Sequence, residues 1–409
     1  MSTPHRFYCR AYQAVMRVAV YALNWDSPEL LRGPGSVKEL PKLIKSHGLQ
    51  RVLVVTDPTL MRLGLTKPFL DGLERAEIAY AVYDKVQPNP TIGNIEEALA
   101  MYRDRGCRGI VGFGGGSPMD CAKVVGARVA RPNKSIPQLR GVLKVWKTLP
   151  PLYAVPTTAG TGSETTVAAL VTDPETHEKY AINDVKLRPR CAVLDPELTT
   201  GLPKHITSTT GMDALTHAVE AYIGRSNTRG TEKNALDATK LIFENLEAAY
   251  NDGANLEARE NMLLASFYAG AAFTRAYVGY VHGIAHQLGG MYNTPHGLAN
   301  AVILPCVLDW FGAAAHKRLA KLAEAAGIAA EGQSDAEKAN AFIAEIRAMN
   351  KRMGIPDKFD FIKEEDIPTI ARRALKEANP LYPVPKIMDA EDCMGVIRSL
   401  MAEKEAAAR

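Results

Sequence analysis

The sequence predicts an α/β unit followed by an all-helical unit, and three observations carry that reading. Short β-branched runs at 51–55, 78–83, 109–113 and 152–155 alternate with helical patterns, the order expected of parallel strands joined by helical crossovers. After the apolar run 192–194, which ends at Asp195 and Pro196, strand-like segments stop and helical periodicity takes over. Gly201 to Pro203 then punctuates the chain just before the first long helical pattern. We therefore expect an N-terminal parallel-sheet domain over 1–200 and an all-helical domain over 201–409.

With 409 residues, 46% apolar and 23% charged, the chain has the composition of a soluble globular protein, which excludes wholesale disorder, a fibre or a disulfide scaffold. Forty-nine basic against 45 acidic residues leave +4. With no Lys/Arg block, that excess makes no footprint for nucleic acid or a membrane surface. Six cysteines lie far apart without a CxxC pair, as free thiols do in a reducing compartment, so a cytoplasmic protein is expected. Arg6, Arg10 and Arg17 interrupt the apolar character of the start, and no signal peptide is expected. The apolar stretch 299–315 is expected to be broken by Asn300, Pro305 and Asp309, which leaves no transmembrane helix.

Two turns rich in small residues follow predicted strands. In Gly114-Gly115-Gly116-Ser117-Pro118, glycines let the backbone approach a phosphate, and free N–H groups at a helix start favour an anion. Ser117 is expected as the N-cap and Pro118 at the first helical position. The pattern is not GxGxxG, and a simple tight turn explains it as well as phosphate binding does. In 156–164, PTTAGTGSE, hydroxyls and amides offer partners for a pyrophosphate and ribose, or satisfy the loop's own backbone. Asp57 ends the first strong strand, where a carboxylate either accepts from an adenosine ribose and repels a 2′-phosphate, or serves as turn chemistry.

Asp213 and His217 are four apart in a helical pattern and so share a face. Alone, that pair reads more simply as a solvated face or a paired core histidine. However, His282, His286 and His296 follow within fifteen residues, three of the chain's nine histidines. His282 and His286 share a helix face, and Gly289-Gly290 with Asn293-Thr294-Pro295 is expected to turn the chain and return His296 to it. Imidazoles with one carboxylate suit a divalent first-row metal such as Fe²⁺ or Zn²⁺. HGIAH lacks the glutamate of HExxH, and peptide hydrolysis loses its base.

From about Leu31 onward the chain resembles the iron-containing (group III) alcohol dehydrogenases. The motifs that carry the resemblance are GPGS at 33–36, VTD at 55–57, PNPT at 88–91, GGGSPMD from Gly114, PTTAGTGSE from Pro156, GMDALTHAVEAY from Gly211 and GYVHGIAHQLGGMYNTPHG from Gly279. The resemblance implies a dehydroquinate synthase-like fold: an α/β domain holding a nicotinamide dinucleotide, a helical domain holding the metal, and an active site in the cleft between them. It implies that Asp213, His217, His282 and His296 ligate Fe²⁺, or Zn²⁺, with His286 beside the nicotinamide and substrate; close to the site but surplus to four ligands, His286 is either the proton relay or a hydrogen-bonding support of the ligands. Asp57, Asn89, Gly115, Gly116, Ser117, Thr157, Thr158, Thr161 and Lys179 fall at cofactor positions, and Asp57 implies NAD. The implied activity is hydride transfer between that cofactor and a primary alcohol, diol or aldehyde, by a homodimer or higher homo-oligomer.

This chain departs from the pattern at Phe273-Thr274-Arg275, where many members have Asn two residues after the Phe, at Ala168, and at LYPVP after Ala378-Asn379-Pro380. The first 20 or so residues have no counterpart. If the helix is continuous, Arg275 lies about two turns before His282, on its face, where a guanidinium either pairs with a protein acid or lies at a subunit contact, as most arginines do, or holds an acidic group on substrate or cofactor. A lyase or cyclase of the dehydroquinate synthase type is the rival reading, but no Lys/Arg cluster for a phosphorylated substrate surrounds the histidines. A glycerol-type polyol dehydrogenase is a second alternative.

Overall fold

The structure is a computed structural model that describes residues 3–21, 23, 25–176 and 178–402. It divides into two compact units, one of Asn24–Leu202 and Gly253–Gly270, the other of Met1–Leu23, Pro203–Asp252 and Ala271–Arg409.

The first unit is built on a parallel sheet. Its strands are β1 (Glu29–Arg32), β2 (Arg51–Val55), β3 (Ala79–Tyr83), β4 (Gly109–Gly114), β6 (Leu152–Pro156) and β9 (Cys191–Leu194), in the order β1-β9-β6-β4-β2-β3. The short β5 (Gly141–Val142) pairs with β8 (Glu178–Asn183), which forms an antiparallel pair with β7 (Ala168–Asp173) in a second sheet. Helices α2 (Leu40–Ser46), α3 (Pro58–Arg62), α4 (Lys67–Arg75), α5 (Ile92–Asp104) and α6 (Gly116–Ala130) connect the strands. Successive residues of a strand point to opposite faces, and both faces of this sheet are covered. Val52, Val54, Val111 and Phe113 pack with Leu40, Ile44, Phe69 and Leu73 of α2 and α4. Leu53, Val55, Ile110 and Leu152 pack with α5 and α6 through Ile95, Leu99, Val124 and Val125. Double burial is why RVLVV reads as an unbroken apolar run rather than an alternation.

The strand order places a topological switch between β2 and β4, since the chain builds outward to β3 on one side and to β6 and β9 on the other. Ligands of open α/β sheets bind beyond the carboxyl ends of strands at such a point. Asp57 follows β2, the glycine turn follows β4 and PTTAGTGSE follows β6, so the three segments share one edge of the sheet.

The second unit is helical. It holds α1 (Thr3–Tyr21), α7 (Lys204–Ile223), α8 (Arg229–Asn251), α10 (Tyr280–Tyr292), α11 (His296–Phe311), α12 (His316–Ala325), α13 (Asp335–Arg352), α14 (Ile367–Ala378) and α15 (Ala390–Ser399), while α9 (Leu256–Ala276) supplies its last turns. The N-terminal helix belongs here because Arg10 donates to the carbonyls of Val384 and Pro385, and buried Gln13 to those of Pro380 and Tyr382.

Two expectations are corrected. The chain turns at Asn293, which caps α10 in the left-handed conformation at φ 53°, while Gly289 and Gly290 stay helical. Nor do Asn300, Pro305 and Asp309 break the helix in the apolar stretch: all three lie inside α11, which ends at Phe311. A proline leaves the carbonyl four residues earlier without its helical donor, and buried Asn350 of α13 donates to that oxygen, Ala301 O, at 2.8 Å. By length and composition His296–Ala314 is a helix that can cross a membrane. Here it carries ten buried residues and packs on α7 and α10.

Candidate metal centre and glycine-rich cradle

One ligand atom from each of Asp213, His217, His282 and His296 lies within 4.8 Å of the other three. α7 supplies the first two, α10 the third and the first residue of α11 the fourth. Asp213 Oδ1 is 3.8 Å from His282 Nε2 and 3.6 Å from His296 Nε2, the spacing of atoms that share one ion at about 2.1 Å each. Phe273 stacks on His217 at 4.1 Å between ring centres and forms a wall.

The donor chemistry fits a divalent metal. Burial pushes His282 down to about 4, so it is neutral at pH 7. Its Nδ1 is 2.7 Å from Glu220 Oε2, and the same carboxylate accepts from the backbone N–H groups of Gly279 and Val281. Burial pushes Glu220 up, to about 7, against the pull of those donors. A carboxylate accepting three N–H bonds fixes the proton of His282 on Nδ1 and turns the Nε2 lone pair inward. Gly279 makes room for it, since a Cβ there would lie 2.6 Å from Glu220 Oε1. The sequence reading missed Glu220 although it sits three residues after His217, on the same helical face.

Asn300, one turn after His296, was expected only to interrupt an apolar run. It is fully buried, with Nδ2 at 2.6 Å from Asp213 Oδ1, 3.1 Å from His282 Nε2 and 3.2 Å from His296 Nε2.

His286 lies outside the four-residue cluster, with its ring stacked on His296 at 5.3 Å. Its Nδ1 is 2.7 Å from Glu377 Oε1, which also accepts from Tyr382 Oη, while Gln287 donates to Glu377 Oε2. Burial pushes Glu377 up, but the charge and hydrogen bond of His286 and the bond from Tyr382 outweigh it and hold the carboxyl below its usual range. No local pattern announces a partner 91 residues away. Arg275 is not on His282's helix: α9 ends at Ala276, and Tyr277 at φ 67° separates it from α10. Arg275 therefore does not share a helix face with His282.

In the α/β unit the two small-residue turns face each other. Thr157 N donates to Gly114 O, and a Cβ on Gly116 would lie 3.1 Å from Thr161 Cγ2, while one on Gly115 would meet Thr158 Oγ1 at 3.5 Å. The N-cap of α6 is Gly115, with no side-chain cap, and Ser117 stands inside the first turn. That corrects the expected capping role: Ser117 Oγ instead accepts from Asn89 N, and Lys179 Nζ donates to Asn89 Oδ1 at 2.7 Å. A helix start uncapped by side chains, lined by hydroxyls and with backbone access where a Cβ would crowd, fits a pyrophosphate. Asp57 caps α3, its Oδ1 accepting from Thr59 N and Leu60 N.

Residues 27–196 match the iron-containing alcohol dehydrogenase family, and residues 207–401 match the C-terminal part of the Fe-containing alcohol dehydrogenase family. The chain is 41% identical to a 1,3-propanediol dehydrogenase of Klebsiella pneumoniae over 85% of this chain and 90% of that one. It is 37% identical to an NAD-dependent methanol dehydrogenase of Bacillus methanolicus, over 91% and 98%. The crystal structure of a 1,3-propanediol oxidoreductase superposes with a TM-score of 0.89 at 38% identity, covering 92% of this chain and 99% of that one. A parallel-sheet unit and a helical unit bearing an Asp/His₃ cluster thus define a metal-dependent alcohol/aldehyde oxidoreductase. The chain belongs to the iron-containing alcohol dehydrogenase family.

Proposed function

We propose that this enzyme interconverts short primary alcohols or diols and their aldehydes, with Fe²⁺ (or Zn²⁺) on Asp213, His217, His282 and His296 and NAD on the α/β unit. The observation that carries the reading is the convergence of four ligand atoms within 4.8 Å. The propanediol and methanol dehydrogenases it resembles support a small alcohol as substrate, and the second supports NAD.

When bound, the metal supplies Lewis-acid polarisation of the alcohol or carbonyl oxygen, and NAD supplies the hydride acceptor or donor. The protein's own part is positional and protonic. Glu220 keeps His282 Nε2 presented, and Phe273 closes one side at His217. Glu377 holds the Nδ1 edge of His286, which leaves His286 Nε2 to take the hydroxyl proton on oxidation and return it on reduction. Gly115, Gly116 and Ser117 offer amides to the pyrophosphate, with Thr157, Thr158, Thr161, Asn89 and Lys179 around it and Asp57 towards the ribose.

We further propose a cytoplasmic homo-oligomer with a small-molecule substrate and neither nucleic acid nor membrane as partner. The six unpaired cysteines support a reducing compartment, and sedimentation gives the subunit count. The test is an NADH assay over short alcohols, diols and aldehydes, with protein reconstituted anaerobically with Fe²⁺ or Zn²⁺. Stoichiometric NADH formation with 1-propanol or 1,3-propanediol is expected. Turnover of a substrate without net change in NAD would overturn the reading in favour of a lyase.

A further inference from the structure

Asn300 is a fully buried amide at the centre of the metal ligands, and its two ends are treated unequally. Nδ2 lies 2.6 Å from Asp213 Oδ1 and 3.1 and 3.2 Å from the Nε2 atoms of His282 and His296. These separations are shorter than the 3.6 and 3.8 Å between Asp213 Oδ1 and the two histidine atoms. The amide tip therefore sits over the triangle that the three ligand atoms define. Oδ1 is buried with no hydrogen-bond partner among the described residues. Leaving such a carbonyl unpaired is costly, and the side chain is fixed to the site by α11, one turn after His296.

The three atoms that Nδ2 faces, a carboxylate oxygen and two ring nitrogens, carry lone pairs in the ligating form, which for His282 is the tautomer whose Nδ1 proton Glu220 accepts. Those are the lone pairs a metal takes. Once they are engaged, an N–H pointing at the same triangle has no acceptor and faces a cation. A half-turn of the planar amide about its Cβ–Cγ bond exchanges nitrogen for oxygen in nearly the same volume, and carbonyl oxygen is a good ligand for a divalent ion. The unpartnered position at the far end is left unpaired in either orientation, so the near end decides which one is populated.

We propose that Asn300 is a further metal-contacting residue, whose amide turns to present Oδ1 to the ion held by Asp213, His217, His282 and His296. This rests on the four-residue ligand set proposed above. It gives the centre five protein groups and explains why a polar side chain stands fully buried in an otherwise apolar core helix.

The experiment uses full-length protein stripped by a chelator and reloaded with Co²⁺, whose visible spectrum reports coordination number and oxygen ligation. Asn300→Leu fills the same volume without an oxygen. It should change the Co²⁺ band positions and intensities and weaken Co²⁺ binding by roughly 10–100-fold in chelator competition. Asn300→Asp, which keeps both shape and oxygen, should bind Co²⁺ at least as tightly as the parent and covers the case in which the leucine variant fails to fold. An unchanged spectrum in Asn300→Leu, or weaker binding in Asn300→Asp, overturns the proposal. His282→Ala separates it from the reading beneath it. If that variant keeps the metal, the ligand set itself is wrong; if it loses the metal while Asn300→Leu looks like the parent, only the role of Asn300 falls.

Discussion

Glu220 Oε2 stands 2.7 Å from His282 Nδ1 while Glu220 also accepts from the N–H groups of Gly279 and Val281. The carboxylate thus sets the tautomer of the histidine and the start of the helix that carries it. Glu220→Gln keeps the volume but puts an NH₂ where one acceptor was, so either a backbone N–H or His282 loses its partner. Metal affinity should fall by about 10–100-fold, the usual cost of disturbing a ligand's partner, as read by chelator competition. Affinity equal to the parent's would show that the backbone alone orients His282.

The four clustered residues were legible because their spacing is local: Asp213 and His217 are one turn apart, and His282 and His296 stand at the starts of two successive helices, α10 and α11. The inner strands were legible because both faces are buried, which leaves dense β-branched runs. What surrounds the site was less so. Glu377 reaches His286 from 91 positions away, and nothing in either segment encodes that meeting. Edge strand β1 pairs on one side only, and its ELLR has charged, exposed ends. β7 and β8 alternate buried with half-buried residues in a small three-stranded sheet, and their outer faces mix Ala168, Leu170 and Ala181 with polar residues. Short strands of that kind carry little apolar signal.

Glu377→Gln tests the part assigned to His286. The amide can still meet Nδ1 but no longer balances a positive imidazole, so kcat should fall by roughly 10²-fold, within the range of a lost acid–base contribution. Metal content should stay stoichiometric, since Glu377 bonds to His286, Gln287 and Tyr382, none of which is a proposed ligand. Joint loss of metal and turnover would make Glu377 structural.

Stability should carry a signature of the α/β unit. Glu164, in PTTAGTGSE, is buried, with neither carboxyl oxygen hydrogen-bonded among the described residues, and burial raises it from 4.5 to about 7. Between those values the folded state binds a proton that the unfolded state has lost, so this contribution to stability falls as pH rises from about 4.5 to about 7 and is flat above. Buried Lys123, lowered from 10.5 to about 8, acts with the opposite slope between those values. Glu164→Gln removes the first term. Relative to the parent it should gain on the order of 2–3 kcal/mol between pH 5 and pH 7.5 in urea unfolding. A parent–variant gap that does not change with pH would mean that Glu164 stays ionised in the fold.

Asp57 has two roles that one substitution would confuse. Its Oδ1 caps α3 through Thr59 N and Leu60 N at 2.8 and 3.0 Å, and in the proposed function its charge, beyond the end of β2 at the switch point of the sheet, opposes a 2′-phosphate. Asp57→Ala removes both and should cost about 1 kcal/mol through the lost cap. Asp57→Ser keeps a capping oxygen and removes only the charge. It should leave the thermal midpoint near the parent's, while the ratio of kcat/KM for NAD to that for NADP drops by about tenfold, the equivalent of ~1.4 kcal/mol of relieved repulsion. Discrimination in Asp57→Ser equal to the parent's would reduce Asp57 to its cap and place cofactor choice elsewhere on the sheet edge.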